Sequence, residues 1–463
     1  NIAKNFVEVT DFYNLIKNVV YPDNGCGKLG GKSSGIFLAQ SIIKKSQENK
    51  ELADWVKVPR SWYVTYHVMQ RFLQYNNLME VFDQKYKSIE QVREEYPNIV
   101  QIFKNSHFPP EIVKGLSLVI EAVGTKPIIV RSSSLLEDRV GAAFSGKYKS
   151  LFLANQGTRR ERVNALKDAI AEIYASTFKA DPIEYRKERG LLDFREEMAI
   201  IIMEVVGTRV GHYFLPAFAG VAFSDNHQRW SPRIKRTDGM VRLVPGLGTR
   251  AVDRVSDDYP ILIAPGKPDL RVNVSMEEIV HYAPRKIDLL NLTENRFETH
   301  DVNDLLKECG GAYPIVNSVI SVKSGDTIRS KALINMDFEN DDMIVTFDKL
   351  LNQTDFLPKI KSLLELLREK MGTPVDIEFA HDGTNFYLLQ CRSQNNTSEN
   401  SPAPIPQDLE RSSILFSADK YVSNGLLSGI SHIVYVCPDK YAELETMEDL
   451  KTIGRIVSSL NKI

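Results

Sequence analysis

Asp376, Glu378, Gln390 and Arg392 are the residues whose types and spacing come nearest to a piece of chemistry. The runs Val375-Asp376-Ile377-Glu378-Phe379 and Phe386-Tyr387-Leu388-Leu389-Gln390-Cys391-Arg392 read as the two strands of a hairpin. Period-two alternation puts Val375, Ile377 and Phe379 on one face and Asp376 and Glu378 on the other, while Gln390 and Arg392 share a face. Two carboxylates and an amide oxygen on one sheet surface can hold a magnesium ion together with water and phosphate oxygens. An arginine beside them can bind a terminal phosphate. The alternative is a solvent-facing hairpin whose polar face is simply wet. Leu388, of the same parity as Gln390, argues against full exposure of that face. Strand parity also sets a geometric condition: Glu378 and Gln390 share a face only where paired residue numbers sum to an even value. A two-residue Asp382-Gly383 turn is thereby excluded. A three- or five-residue connection centred on Gly383 is required, or a bulge that restores parity. Asp376 then lies across from Gln390, with Arg392 further along the same side.

Two further segments offer cations. Arg131 closes an apolar run at residues 126–131 and precedes three serines, then Glu137 and Asp138. An arginine at a strand end beside hydroxyls and small residues suits phosphate binding, and equally suits a local ion pair with Glu137 or Asp138. The turn Gly141-Ala142-Ala143-Phe144-Ser145-Gly146 would let backbone N–H groups approach a polyphosphate. Upstream, Gly30-Gly31-Lys32-Ser33 resembles the end of a phosphate-binding loop, but Cys26 stands where that motif requires glycine. Lys32 at a helix start can still reach a phosphate, since unpaired N–H groups gather there. A plain helix start with a surface lysine is the competing reading.

The elements that must position these groups follow from pattern. Ile36, Phe37, Ala39, Ile42 and Ile43 recur at helical spacing after the glycine turn. Residues 58–64 and 199–206 read as strands, as do 148–153 and 220–224. Residues 66–123 and 159–189 read as largely helical. Ile360, Leu363, Leu364, Leu367 and Met371 mark one face of a helix leading into the hairpin. After Arg392 a polar, proline-rich stretch reads as a linker. The strand-like Ile433-Val434-Tyr435-Val436 opens what reads as the first part of another domain.

The 463 residues carry 58 basic and 60 acidic side chains, a formal charge of −2. No global field draws nucleic acid or a membrane surface, so an anionic ligand must be held by a local cluster. Four dispersed cysteines form no CxxC pair, which argues against a zinc site or disulfide framework and fits a reducing, cytoplasmic setting. No run is long and apolar enough for a membrane span. The chain opens at Asn1 rather than a methionine, so its true N-terminus is expected to lie upstream.

In this order, the segments resemble the N-terminal nucleotide-binding region of phosphoenolpyruvate synthases and pyruvate phosphate dikinases. Leu29-Gly30-Gly31-Lys32-Ser33 is similar to that family's GGK turn. Val130-Arg131-Ser132-Ser133, Glu137-Asp138 and Phe144-Ser145-Gly146 are similar to its VRSS…ED…F[AS]G stretch. Ala175-Ser176-Thr177-Phe178 and Tyr185-Arg186-Lys187-Glu188-Arg189-Gly190 resemble its helical segment, and Pro245-Gly246-Leu247-Gly248 its GLG turn. Asp376-Ile377-Glu378 with Leu389-Gln390-Cys391-Arg392 resembles its DIE…LQxR hairpin. The resemblance implies an α+β, ATP-grasp fold in which two lobes clamp the nucleotide. The first lobe is expected over residues 1–195 and the second over 196–393, with a linker at 394–412 and an incomplete further domain at 413–463. It implies ATP and Mg2+ as cofactors. Lys32 and Arg131 would contact phosphates, with Ser145 and Gly146 over the triphosphate and Glu204 at the base or ribose. Glu378 and Gln390 would hold the metal with Asp376 nearby, and Arg392 would stabilise the transferring group. The implied activity is phosphotransfer from ATP to a histidine on a domain outside this chain, then to pyruvate or another small acceptor. No phosphohistidine loop is recognisable; Ser431-His432 is a faint echo of one. Arg250 and Arg254 after the GLG turn depart from the family pattern. An antibiotic- or glucan-directed phosphotransferase and a non-catalytic nucleotide sensor are the alternatives.

Overall fold

The computed structural model describes residues 2–22, 27–46, 50–134, 148–188, 190–193, 196–252, 258–394, 409–414, 430–437, 440–441, 443–444 and 446–460. These divide into two compact units, one reaching to Gln394 and one beginning at Leu409. The first is an α+β assembly of four sheets. In the second, Met447–Leu460 is helical. Residues 430–437, expected to contain a strand, form neither strand nor helix, and Ile433, Val434 and Tyr435 are exposed.

The first sheet runs Val19–Val20, Ser61–Val64, Met198–Glu204, Ile128–Ser134, Ser150–Leu153. One face is covered by Tyr66–Tyr75, Ile89–Asn105, Pro110–Val123 and Arg159–Ser176, which bury Phe72, Phe103, Leu116, Ile170 and Tyr174 against Val64, Val130 and Ile200. Thr158 and Glu161 form a capping box at the start of the last of these helices, satisfying two otherwise unpaired N–H groups. Met198–Glu204 is the middle strand of this sheet, so the boundary expected between residues 195 and 196 separates it from its own partners. A strand that is apolar from Met198 to Met203 and buried on both faces reads the same in either sheet.

The second sheet runs Ile261–Ile263, Met240–Pro245, Phe218–Phe223, Val375–His381, Phe386–Ser393, Val56–Lys57. Its core takes Val375, Ile377 and Phe379 from the hairpin and Ile360, Leu363, Leu364 and Leu367 from the helix Phe356–Met371. It also takes Ala39, Ile42 and Ile43 from the helix Gly31–Lys45, and Leu52 and Val56 from the segment after it. The N-terminal part of the chain therefore contributes to both cores.

That helix is a strut between the two sheets. At its start Gly30 has a φ of 78°, and a Cβ there would stand 1.6 Å from the Ser133 carbonyl oxygen. One turn on, a Cβ at Gly35 would stand 2.1 Å from the carbonyl oxygen of Cys391. Only glycine allows both approaches. Sequence patterning assigned no element between residues 254 and 356. A four-stranded sheet (Arg296–Asp301, Lys286–Asn291, Tyr213–Leu215, Thr208–Val210) and a three-stranded one (Thr327–Arg329, Ile320–Ser324, Asp342–Val345) are built largely there; their longest strands do not alternate, Lys286–Asn291 being buried on both faces and Arg296–Asp301 mostly polar.

Candidate functional site

The hairpin satisfies its parity condition through a bulge. His381 pairs with Phe386, leaving a four-residue connection in which the Asp382 N–H donates to the Asn385 carbonyl at 3.2 Å. This is neither the three- nor the five-residue turn expected. Phe379 pairs with Leu388 and Glu378 with Gln390, so Leu389 is the inserted residue. The bulge turns Leu388 into the core beside Phe379 and leaves Leu389 on the other side, against Val206, Ala219 and Ala380. Leu388 thus does not share the face of Gln390, as simple alternation had suggested. Glu378 and Gln390 are directly opposed, and Asp376 lies across from Arg392, not from Gln390.

Arg131 is not at a strand end. Its strand continues through Ser132, Ser133 and Ser134, all fully buried. Each serine is committed: Ser132 Oγ accepts from Lys32 Nζ at 3.2 Å, Ser133 Oγ donates to the Leu29 carbonyl at 2.8 Å, and Ser134 donates to Glu196. Ser133 Oγ also accepts from the Ser33 N–H at 3.2 Å. The start of the Lys32 helix is therefore docked on the serine strand. Lys32 itself is 7% exposed, unlike a surface lysine.

These placements bring Arg131 across to the hairpin. Its Nη2 donates to Glu378 Oε2 at 2.6 Å and to Gln390 Oε1 at 2.9 Å. Arg392 Nε donates to Asp376 Oδ1 at 2.7 Å. Glu137 and Asp138, the other suggested partners of Arg131, lie outside the described residues, as do Ser145, Gly146 and Arg254. Burial pushes the Glu378 carboxyl up, but Arg131, Arg392 and Lys32 together outweigh it and hold the group below its ordinary value. Asp376 is balanced the other way. Burial lifts it to about 6 although Arg392 pulls it down. Arg131 Nε and Gln390 Nε2 are buried with no hydrogen-bond partner among the described residues.

Lys32, Arg131, Glu378, Gln390 and Arg392 line a cleft of about 530 Å3, within the size range of small-ligand sites. Ile129, Leu151, Met203, Val206 and Leu389 give the cleft an apolar wall. Glu204 ends the Met198–Glu204 strand on its rim, 3.3 Å from Arg60 and 3.2 Å from Lys126. Both of those cations are more than half exposed, so the pairs hold Glu204 weakly. The turn Leu247-Gly248-Thr249 forms another wall. It is pinned from behind by Asp288, which accepts from Thr249, from Arg250 Nε at 3.1 Å and from Thr299 Oγ1 at 2.7 Å. Arg250, the departure from the family pattern, thereby acquires a structural place. Phe297 faces the cleft, its ring 5.8 Å from that of Phe152. Neither Phe297 nor Lys149, which also lines the cleft, carried a sequence signal. His432 lies in the second unit, its ring nitrogen 3.0 Å from Ser431 Oγ.

Glu378 Oε2 and Gln390 Oε1 converge on a single nitrogen, so the pair is arranged to share one small cation and fits a hard divalent ion completed by water and phosphate oxygens. Among the described residues no three His, Cys, Asp or Glu side chains gather as a self-sufficient metal site. No described helix is long and apolar enough to cross a membrane.

A phosphoenolpyruvate synthase of Aquifex aeolicus (strain VF5) is 24% identical to the chain over 167 residues, which is 34% of this chain and 19% of that protein. Residues 27–413 match the model of the family described as pyruvate phosphate dikinase, AMP/ATP-binding domain, and the chain belongs to that family.

Proposed function

We propose that the chain is the ATP- and Mg2+-binding, ATP-grasp part of a phosphotransferase resembling phosphoenolpyruvate synthase and pyruvate phosphate dikinase. The carrying observation is the convergence of Lys32, Arg131, Glu378, Gln390 and Arg392 in one cleft that Ile129, Leu151, Met203, Val206 and Leu389 also line. In this reading the two lobes centre on the first and second sheets. The apolar wall takes the base, with Glu204 at the base or ribose. Lys32 and Arg131 take phosphates, and Ser145 and Gly146 cover them. Glu378 and Gln390 hold Mg2+, which supplies charge neutralisation at the phosphates when bound. Asp376 orients Arg392, whose guanidinium meets the charge that develops on the transferring phosphoryl group. Such transfer needs positioning and neutralisation more than covalent help. The phosphoryl group leaves ATP for a histidine on a domain outside this chain, and passes on to pyruvate or another small acceptor.

Calorimetric titration tests the nucleotide assignment. The protein should bind ATP in Mg2+, and Arg131→Ala should weaken ATP binding far more than adenosine binding, by about 2–3 kcal/mol for a lost charge-assisted contact. Equal losses for both ligands would assign Arg131 a structural role, and no ATP binding at millimolar nucleotide would sink the reading.

A further inference from the structure

We infer that Arg131 holds the place of the metal ion until the phosphates of the nucleotide draw it away, so that the divalent cation is admitted only together with nucleotide. This rests on the nucleotide and metal reading above and adds an order to it.

Three observations carry the inference. First, one atom of Arg131 satisfies both oxygens assigned to the metal: Nη2 lies 2.6 Å from Glu378 Oε2 and 2.9 Å from Gln390 Oε1. A cation that needs those oxygens must compete with a guanidinium already there. The side chains of Arg131 and Glu378 are only 11% and 14% exposed, and an ion pair so far out of water is not loosened by solvent. Second, the contact leaves both partners short. Arg131 Nε and Gln390 Nε2 are buried without an acceptor among the described residues. A guanidinium has five N–H donors in a fork that matches phosphate oxygens. A polyphosphate in the cleft therefore offers Arg131 a better set of acceptors than the hairpin does. Third, the charges do not favour a metal ion by itself. Among the described residues, the cations Lys32, Arg131 and Arg392 stand together with the carboxylates Asp376 and Glu378. A divalent cation arriving alone meets those three cations, whereas one arriving with a triphosphate brings negative charge with it.

Arg131 then has opposite effects on the two ligands, because it attracts phosphate and excludes metal. The test is Mn2+ binding followed by electron paramagnetic resonance, with no nucleotide and with a non-hydrolysable ATP analogue. The wild type without nucleotide should bind Mn2+ weakly. Arg131→Ala should bind it about tenfold more tightly, a coupling in the usual range, while binding the ATP analogue more weakly. Arg131→Met, which keeps the buried stem's volume, should behave alike and serves if the alanine variant does not fold. Glu378→Gln should lose the gain when combined with either. Mn2+ binding without nucleotide that is unchanged, weaker or absent in both Arg131 variants, alongside weakened ATP binding, overturns the inference and leaves the nucleotide reading standing. Failure of the wild type to bind the ATP analogue with Mn2+ removes the reading beneath it.

Discussion

At the scale of single residues the site is decided by which polar groups are buried and what they meet. Asp376 is the clearest case, since burial lifts its carboxyl from 3.8 to about 6 against the pull of Arg392. The folded chain thus binds this proton more tightly than the unfolded chain. The stability it contributes is full below pH about 4 and is lost as pH rises through about 6. Ionised Asp376 therefore costs the fold on the order of 3 kcal/mol at neutral pH. A carboxamide at this position cannot ionise, so the stability of Asp376→Asn relative to wild type should rise between pH 4 and pH 6 and then level off. Urea unfolding of both proteins at several pH values reads this directly, and a flat difference across that range would refute it. The same burial limits what composition reveals. Ser132, Ser133 and Ser134 read as a loop because serine is usually exposed. Here each hydroxyl has a partner, which lets three serines lie in the middle of a core and carries Arg131 inside its strand. Arg131, Glu378 and Gln390 could each be picked out as phosphate or metal groups, but their meeting through one nitrogen is a fact of packing between distant segments that no spacing reports.

At the scale of elements, periodicity went furthest where an element has one buried face. The helix Phe356–Met371 and the outward Asp376 and Glu378 follow directly from it. Periodicity stopped at the bulge. With Leu388 and Leu389 adjacent and both apolar, alternation cannot tell which is inserted, and the bulge inverts the face of everything beyond it. The Gly-Gly-Lys turn was legible as a helix start, but not the close approach that Gly30 and Gly35 allow to strands on either side. Gly35→Ala should therefore push the helix from the strand holding Gln390 and Arg392, because its Cβ would meet the Cys391 carbonyl at 2.1 Å. The expected loss is about 2–4 kcal/mol of stability, together with weaker ATP binding. Gly372 makes the control. It caps a helix at φ 66° with open space around it, so Gly372→Ala should cost about 1 kcal/mol and leave ATP affinity alone. Thermal melts and titrations of the two variants decide it, and equal behaviour would mean that the strut does not position the site.

At the scale of the whole molecule, the first unit is tied together by an early segment that belongs to both cores. Ile36 packs with Tyr63, Ile201 and Met203 behind the first sheet, while Ala39, Ile42, Ile43 and Val56 enter the core of the second. The sheets on either side of the cleft therefore share a helix and cannot unfold independently without exposing it. The far end is held as firmly. The Gln394 side chain accepts from the Asp225 N–H at 3.1 Å and donates to the Asp225 carbonyl at 2.7 Å, and its own N–H donates to the Pro374 carbonyl at 2.7 Å. A chain of residues 1–394 should accordingly melt in one cooperative transition with the ATP affinity of the full chain. ATP with Mg2+ at a hundred times its dissociation constant should stabilise it by about 2.7 kcal/mol. A chain of residues 58–394 keeps every charged site residue except Lys32, yet it lacks the strut and the edge strand Val56–Lys57 that pairs with the hairpin. It should fail to fold cooperatively. Calorimetry of the two truncated chains separates the cases: two resolved transitions in residues 1–394, or a folded, ATP-binding chain of residues 58–394, would show that the sheets flanking the cleft are independent bodies.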